Sequence, residues 1–278
     1  MPLKVYLLTG AGVAAGLCLY AGVFVRLFRA FRNGGAAAKI RTAIFILLLA
    51  GASLTTAFVL LPCFDWPGHT VCRGPTDAKI LALTFDDGPS SPYTGQVLDI
   101  LKSRGIPATF FVLGKNVQKY PELVDRMIRE GYVIGNHTFD HEPLIFMNEA
   151  KIESELDRWE TAMAPHAPFS KSPLRLFRAP HGWKNPLYDG ILRKRNYQRI
   201  GWTMGVWDTD RPGKDVILQR LLGRVRNGSI ILLHDGSADE GADRSQTVEA
   251  LPGFIDDCLR DGYRFVDIPA LLESTRHP

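Results

Sequence analysis

From about residue 78 to the C-terminus, short apolar runs alternate with amphipathic stretches, and this alternation restricts the fold more than any other feature of the chain. Seven runs have the length and composition of strands: residues 80–84, 108–113, 133–136, 176–178, 197–202, 229–233 and 264–267. Between them, residues 94–104, 121–130, 151–163, 186–195, 216–225 and 247–260 are helix-like. In the first of these Val97, Ile100 and Leu101 share one face, and the second opens with Pro121, a good first-turn residue. Strands that alternate with helices imply parallel βα units. Seven such units predict an α/β fold, a distorted (β/α)7 barrel over residues 78–278. In a parallel barrel the catalytic groups sit on loops at the C-terminal ends of the strands, so polar residues just beyond each apolar run are the candidates.

The first fifth of the chain is different. Residues 5–25 and 42–64 hold stretches of 21 and 23 residues rich in Gly, Ala, Leu and Phe, each long enough to span a hydrocarbon core of about 30 Å as a helix. The connecting residues 26–41 carry Arg26, Arg29, Arg32, Lys39 and Arg41, which places that loop in the cytoplasm. The expected arrangement is a membrane hairpin over residues 1–64, with everything after Phe64 outside the cytoplasmic membrane. A cleaved signal peptide is the alternative for the first span, and its apolar run is long for one. Both alternatives leave Arg41 inside and the larger domain outside. Small residues in the first span (Gly10, Gly12, Gly16 and Gly22) permit close helix packing, and the oligomeric state stays open.

The net charge of +4 invites a nucleic-acid reading, and the distribution of charge removes it. Of 33 basic residues, six lie in residues 1–61, where there is no Asp or Glu; the remaining 27 face 29 acidic residues, a balance of −2. With 46% hydrophobic residues and four cysteines, the chain is neither disordered nor a disulfide-dense miniprotein. Cys63 and Cys72 flank a short loop in the linker, residues 65–77, and an oxidising compartment permits a disulfide between them. Cys18 and Cys258 read as buried and inert, and no C-x-x-C pair suggests a zinc ribbon.

Five polar clusters follow apolar strands. Thr84-Phe85-Asp86-Asp87-Gly88-Pro89 sets two carboxylates side by side, which a metal or a catalytic proton would explain; a solvated turn is the plain alternative. His137-Thr138-Phe139-Asp140-His141 spaces two His four positions apart, as on one helical turn and as zinc sites do. Two His and one carboxylate leave open positions for water and substrate. Arg178-Ala179-Pro180-His181 offers a bidentate partner for a carboxylate, or simply a surface Arg. Trp202 to Asp210 holds two Trp that are either core or a sugar platform, and Leu232-Leu233-His234 puts a His after an apolar strand. His69, His166 and His277 lack such context.

The order of these clusters resembles the polysaccharide deacetylases, carbohydrate esterase family 4 with its NodB homology domain, over about residues 78–275. Thr84–Pro89 matches the family's T-F-D-D-G-P, His137 to His141 its H-[ST]-x-x-H, Arg178-Ala179-Pro180 its R-x-P, and Leu232-Leu233-His234 its L-x-H. The resemblance implies that Asp87, His137 and His141 hold one divalent metal ion, zinc first, with cobalt, nickel or manganese as alternatives. It implies Asp86 as general base, His234 as general acid, Arg178 as tether of Asp86, and Asp208 beside that pair and supporting His234. A backbone N–H near His181 would meet the oxyanion, and Leu232 would line a small pocket for the acetyl methyl. The family's fourth motif, D-x-x-D-W, is degraded to Gly205-Val206-Trp207-Asp208-Thr209, so Trp207 or Trp202 would supply the lost wall.

The implied activity is removal of N-acetyl groups from an N-acetylated glycan: peptidoglycan, a chito-oligosaccharide, or an exported or lipid-linked sugar. An O-acetyl esterase with the same site is one alternative, and near-normal activity of His234→Ala on the natural substrate would point to it. An inactive glycan-binding module is another; it predicts no metal and no effect of Asp86→Asn beyond folding.

Overall fold

The structure, a computed structural model, describes residues 25–26, 29, 31–61, 63, 70–167, 174–185 and 187–275. The first expected span, residues 5–25, lies outside them apart from Val25. The chain divides into two units, Met1–Ala57 and Phe58–Pro278.

In the first unit the helix α1 runs Ala36–Leu60. It begins six positions before the expected span at Thr42 and takes in Lys39 and Arg41. Residues 31–33 are also helical, so the expected loop over 26–41 is largely helix, broken at Gly34 and Gly35. Apolarity marks where a helix can enter lipid, but helix formation follows backbone propensity, which is high in Ala36-Ala37-Ala38-Lys39 and low in paired glycines. The stretch Ala36–Ala57 is long and apolar enough to cross a membrane. Leu47 and Leu48 are 71% and 68% exposed, so this helix does not owe its apolar face to a protein core.

The second unit is built on one sheet. Its strands are β1 (Thr70–Val71), β2 (Ile80–Asp86), β3 (Thr109–Val112), β4 (Val133–Asn136), β5 (Arg175–Phe177), β6 (Tyr197–Ile200), β7 (Met204–Gly205), β8 (Ser229–His234) and β9 (Arg264–Val266). The sheet order is β1-β6-β5-β4-β3-β2-β8-β7, all parallel, with β9 paired to the start of β2. The helices are α2 (Tyr93–Ser103), α3 (Gly114–Lys119), α4 (Pro121–Arg129), α5 (Glu149–Met163), α6 (Tyr188–Lys194), α7 (Lys214–Arg224), α8 (Ser245–Arg260) and α9 (Ile268–Ser274).

Strand alternation sorts the core into two layers. Leu81, Leu83 and Phe85 of β2, with Ile231 and Leu233 of β8, pack outward among side chains of α2 and α8 such as Leu98, Leu101, Leu251 and Phe254. Ile80, Ala82 and Ile230 point the other way and join Phe111, Leu176 and Ile200 in the hollow of the curled sheet. Thr84 and Asp86 continue that inner row to the C-terminal end of β2.

The sheet, nine strands among the described residues, is a curled half-barrel rather than the distorted seven-unit barrel expected. β6 and β7 are consecutive in sequence yet occupy far positions in the sheet order, because the run expected as one strand over 197–202 ends at Ile200. The resulting seam is crossed by residues 70–74. β1 pairs with β6 on one side, while Arg73 bridges Ser229 and the Gly74 N–H donates to Gly228 O (2.8 Å) on the other. These residues fall within the stretch 65–77 expected as linker, and the folded domain begins before residue 78. Two-residue strands such as β1 and β7 are too short to show a period, which is why the sequence pattern misses them.

Candidate active site

The site grows from the end of β2. Asp86 is the last strand residue and faces the hollow; strict alternation would aim Asp87 at the helix layer. Instead Asp87 takes a left-handed conformation, φ 71°, and its carboxylate turns back beside that of Asp86. The conformation is held from outside the strand. Asn116 Nδ2 of α3 donates to Asp87 O (2.7 Å) and Ser237 O (3.0 Å), and the Asp235 N–H donates to Asp86 O (3.3 Å).

The two His come from the loop after β4. Residues 137–141 are not a helical turn, as the i, i+4 spacing suggested, but a loop with left-handed Thr138 (φ 70°) and His141 (φ 66°). Asn136 Oδ1 accepts from Thr138 N (2.7 Å), and Thr138 Oγ1 accepts from His141 N (3.1 Å). Glu155 of α5, which is buried, accepts from both Phe139 N and Asp140 N at 2.9 Å. His137 Nδ1 meets Arg178 O at 2.8 Å, which leaves Nε2 for the centre. His137 Nε2 and His141 Nε2 then lie 3.4 and 3.2 Å from Asp87 Oδ1, and His137 Nε2 lies 3.7 Å from Asp86 Oδ2.

Arg178 is fully buried just beyond β5. Its Nη1 donates to Asp86 Oδ1 (2.7 Å) and Thr84 Oγ1 (2.8 Å), and Nη2 and Nε donate to Gly201 O (2.9 Å) and Ile200 O (3.3 Å). The guanidinium lies over the Phe111 ring at 4.1 Å and the Trp202 ring at 5.7 Å. A buried Arg needs this saturation. The arrangement fixes one Asp86 oxygen and leaves the other free.

His234 ends β8. Its Nδ1 lies 2.9 Å from Asp208 Oδ1, and its own N–H donates to Asp208 Oδ2 (2.9 Å), which also accepts from Thr247 Oγ1 (3.0 Å). The bonds of Asp208 therefore go to His234 and Thr247; it does not join the Asp86–Arg178 pair. Burial disfavours the charged imidazole, but Asp208, with smaller help from Asp87 and Asp86, lifts the His234 pKa to about 9. The same pairing overcomes burial to hold Asp208 below the usual carboxylate range. In the charged form that this pairing favours, the ring carries a proton on Nε2 as well as Nδ1.

The residues expected on the substrate side divide. Leu232 is buried, and a side chain on Gly205 would meet Trp202 Nε1 at 3.5 Å and Leu232 Cδ2 at 3.7 Å. Trp202, not Trp207, therefore shares a wall with Leu232; Trp207 stands 61% exposed in a left-handed turn. His181 is also left-handed (φ 58°), its N–H has no acceptor among the described residues, and its ring lies edge-on to His141 at 4.7 Å.

Asn116, Glu155, Thr247 and Asp235 were not singled out from the sequence. Asp235 directly follows His234, yet it is fully buried, with Oδ2 accepting from Thr94 Oγ1 (2.5 Å) and Oδ1 unpaired. Burial, aided by Asp87, raises its pKa to about 7. Its position directly after His234 was the available signal; the others act from helices whose packing the sequence does not reveal.

Asp87, His137 and His141 fit a divalent cation. One ligand atom from each lies within 4.8 Å of the others, and Asp87 Oδ1 is buried without a hydrogen-bond donor. Two imidazoles and a carboxylate are an ordinary donor set for zinc and its neighbours.

Fold and site together define an α/β half-barrel protein in which an Arg-held carboxylate, a carboxylate-paired His and a candidate cation site share the C-terminal end of one sheet. Residues 73–200 match the polysaccharide deacetylase family model. A peptidoglycan-N-acetylglucosamine deacetylase of Bacillus cereus is 36% identical over 217 residues, 74% of this chain and 93% of the relative. A chitooligosaccharide deacetylase of Sinorhizobium fredii is 38% identical over 196 residues, 67% of this chain and 89% of the relative. A crystal structure of a peptidoglycan N-acetylglucosamine deacetylase bound to 4-naphthalen-1-yl-N-oxidanyl-benzamide superposes with a TM-score of 0.67 at 32% identity, covering 72% of this chain and 91% of that one. The chain belongs to the polysaccharide deacetylase family and is a hydrolase of carbon–nitrogen amide bonds, a polysaccharide N-deacetylase.

Proposed function

We propose that the protein is a metal-dependent N-deacetylase that releases acetate from an N-acetylated glycan outside the cytoplasmic membrane, anchored there by α1. The observation that carries the reading is the buried, donorless Asp87 Oδ1 between His137 and His141, with Asp86 and His234 beside it. A divalent cation held by Asp87, His137 and His141 would polarise the acetamide carbonyl and ease ionisation of water there. Asp86, held by Arg178, accepts the proton of the attacking water through its free oxygen. The His181 N–H donates to the carbonyl oxygen as it gains charge. His234 Nε2 gives its proton to the departing nitrogen, the C–N bond breaks, and Asp208 holds the ring in place. A leaving amine needs such an acid more than a leaving alkoxide does, so the paired His234 and Asp208 favour an N-acetyl over an O-acetyl substrate.

Leu232 and Trp202 form the wall for the acetyl methyl. A cavity of about 420 Å³, lined by Ser91, Tyr93, Lys115, Tyr120 and Asp239 from the segments that follow β2, β3 and β8, gives the rest of the glycan polar and aromatic surface. The curated relatives act on peptidoglycan and chitooligosaccharides, and both are candidate substrates. Zinc leads as the metal, ahead of cobalt, nickel and manganese. The apolar helix α1, with Lys39 and Arg41 near its start and Arg26, Arg29 and Arg32 before it, supports insertion with the large domain outside.

The test is acetate release by the full chain in detergent, with N-acetylglucosamine oligomers and peptidoglycan, with and without added zinc. Zinc-dependent acetate that disappears in Asp86→Asn is expected. No acetate from either substrate by the metal-loaded wild type would refute the reading.

A further inference from the structure

The seam between β6 and β8 is closed by residues that precede the barrel, and it lies directly behind the Asp86–Arg178 pair. Cys63 and Cys72 are joined by a disulfide that closes a loop of nine residues' separation. The disulfide presses on Gly201: a Cβ there would stand 2.5 Å from Cys72 Sγ and 3.5 Å from Cys63 Sγ, a space only glycine leaves open. Gly201 is bonded on both sides. Its N–H donates to Val71 O (2.8 Å), and its carbonyl accepts from Arg178 Nη2 (2.9 Å). Two residues on, Thr203 Oγ1 donates to Cys72 O (2.5 Å) and accepts from Ile230 N (3.1 Å). An unbroken path thus runs from the disulfide through the Gly201 peptide and the Arg178 guanidinium to Asp86 Oδ1.

We propose that the Cys63–Cys72 disulfide is a positioning clamp for the catalytic base. It holds residues 70–74 across the seam, so that the Gly201 carbonyl keeps Arg178 in register with Asp86. The inference rests on the deacetylase reading for its meaning and on geometry for its substance. Without the crosslink, β1 is a two-residue edge strand held to the sheet only by its pairing with β6 and the neighbouring seam bonds, and such a strand opens readily. Residues 200–203 then lose the wall that fixes their carbonyls. Formation of the clamp removes two electrons and two protons from the pair of thiols, and a dithiol oxidase whose own disulfide is reduced in exchange accepts them. Full activity would thereby arrive only after the domain reaches an oxidising compartment.

The test uses the full chain, with Cys63→Ser/Cys72→Ser and Gly201→Ala singly and combined, each assayed for kcat, KM, bound zinc and hydrogen exchange over residues 199–204. The expected result for the cysteine pair is a kcat lower by about tenfold, KM within about twofold, zinc stoichiometry unchanged, and faster exchange in that segment. Gly201→Ala should be damaging while the disulfide is intact and much less so in the cysteine-free background, where the sulfurs no longer crowd the new methyl. Two effects that simply multiply, or a kcat and an exchange pattern like wild type in the cysteine pair, would overturn the clamp. Hydrogen exchange over residues 199–204 in the single and combined variants decides it even where no acetate is released, an outcome that would count against the deacetylase reading instead.

Discussion

Replacement of Asp208 by Asn tests the acid directly. The substitution preserves size and keeps an acceptor for the His234 N–H and Thr247 Oγ1, but removes a buried negative charge 2.9 Å from His234 Nδ1. Burial alone would lower the His234 pKa below 6.5, and Asp208 is the chief reason that it stands at about 9. That rise corresponds to about 3 kcal/mol of proton affinity at 1.36 kcal/mol per tenfold change. In Asp208→Asn the ring returns to or below its ordinary value, so at pH 8 almost none of it is charged. The Asn amide can also donate to Nδ1, which selects the neutral tautomer with its proton on Nε2, an N–H far too weakly acidic to protonate the departing nitrogen. General acid catalysis is typically worth 10²- to 10⁴-fold, so kcat at pH 8 should fall by about 10²–10³. The assay is acetate release between pH 5 and 10. The alkaline limb of kcat should move from near 9 to below 7, with bound zinc unchanged. The linkage sign agrees: His234 has a raised folded pKa, so its stabilisation is complete below 6.5 and is lost as pH rises through about 9. Wild type should lose stability across that window and Asp208→Asn should not. An unmoved alkaline limb with kcat within twofold of wild type would refute the assignment of His234 as the acid.

Chelation of the metal should lower Tm by about 5–15 °C, since a tightly held ion contributes about 3–4 kcal/mol at 100- to 1,000-fold excess over Kd; calorimetry with and without zinc checks this, and an unchanged Tm would deny an ion at Asp87, His137 and His141. Asn116→Ala and Glu155→Gln should each weaken zinc binding by about 10- to 100-fold, because the first frees the Asp87 carbonyl and the second weakens the grip on the Phe139 and Asp140 amides; a competition titration with a zinc chelator measures both. Trp202→Ala should lower kcat and destabilise by about 2 kcal/mol or more, whereas Trp207→Ala, at an exposed position, should stay within about 0.5 kcal/mol by urea unfolding; the opposite ranking would return the pocket wall to Trp207.

Much of the site could be read directly from the chain because each functional group follows an apolar strand. Asp86 and His234 end β2 and β8, and Arg178 and the His137–His141 segment come just after β5 and β4. Parallel βα units deliver strand ends to one face, so the motif order along the chain already implies a shared site. The inward and outward rows of β2 are likewise a matter of period two.

What the sequence could not decide is how the groups turn and what holds them. Asp87 follows Asp86 and by alternation should point away from it; a left-handed backbone at φ 71°, held by Asn116 from a helix 29 positions onward, turns it back. The two His converge through a loop tied to Glu155, not through helical register. Trp202 and not Trp207 joins Leu232, because the strand stops at Ile200 and the next residues fold over the hollow. The seam itself is closed by residues 70–74, which carry too few positions to show any period. Local pattern determined the elements and the chemistry each one ends in, since both follow from short stretches of chain. Orientation and closure depend on contacts between residues far apart in sequence, and only the packed tertiary structure specifies those.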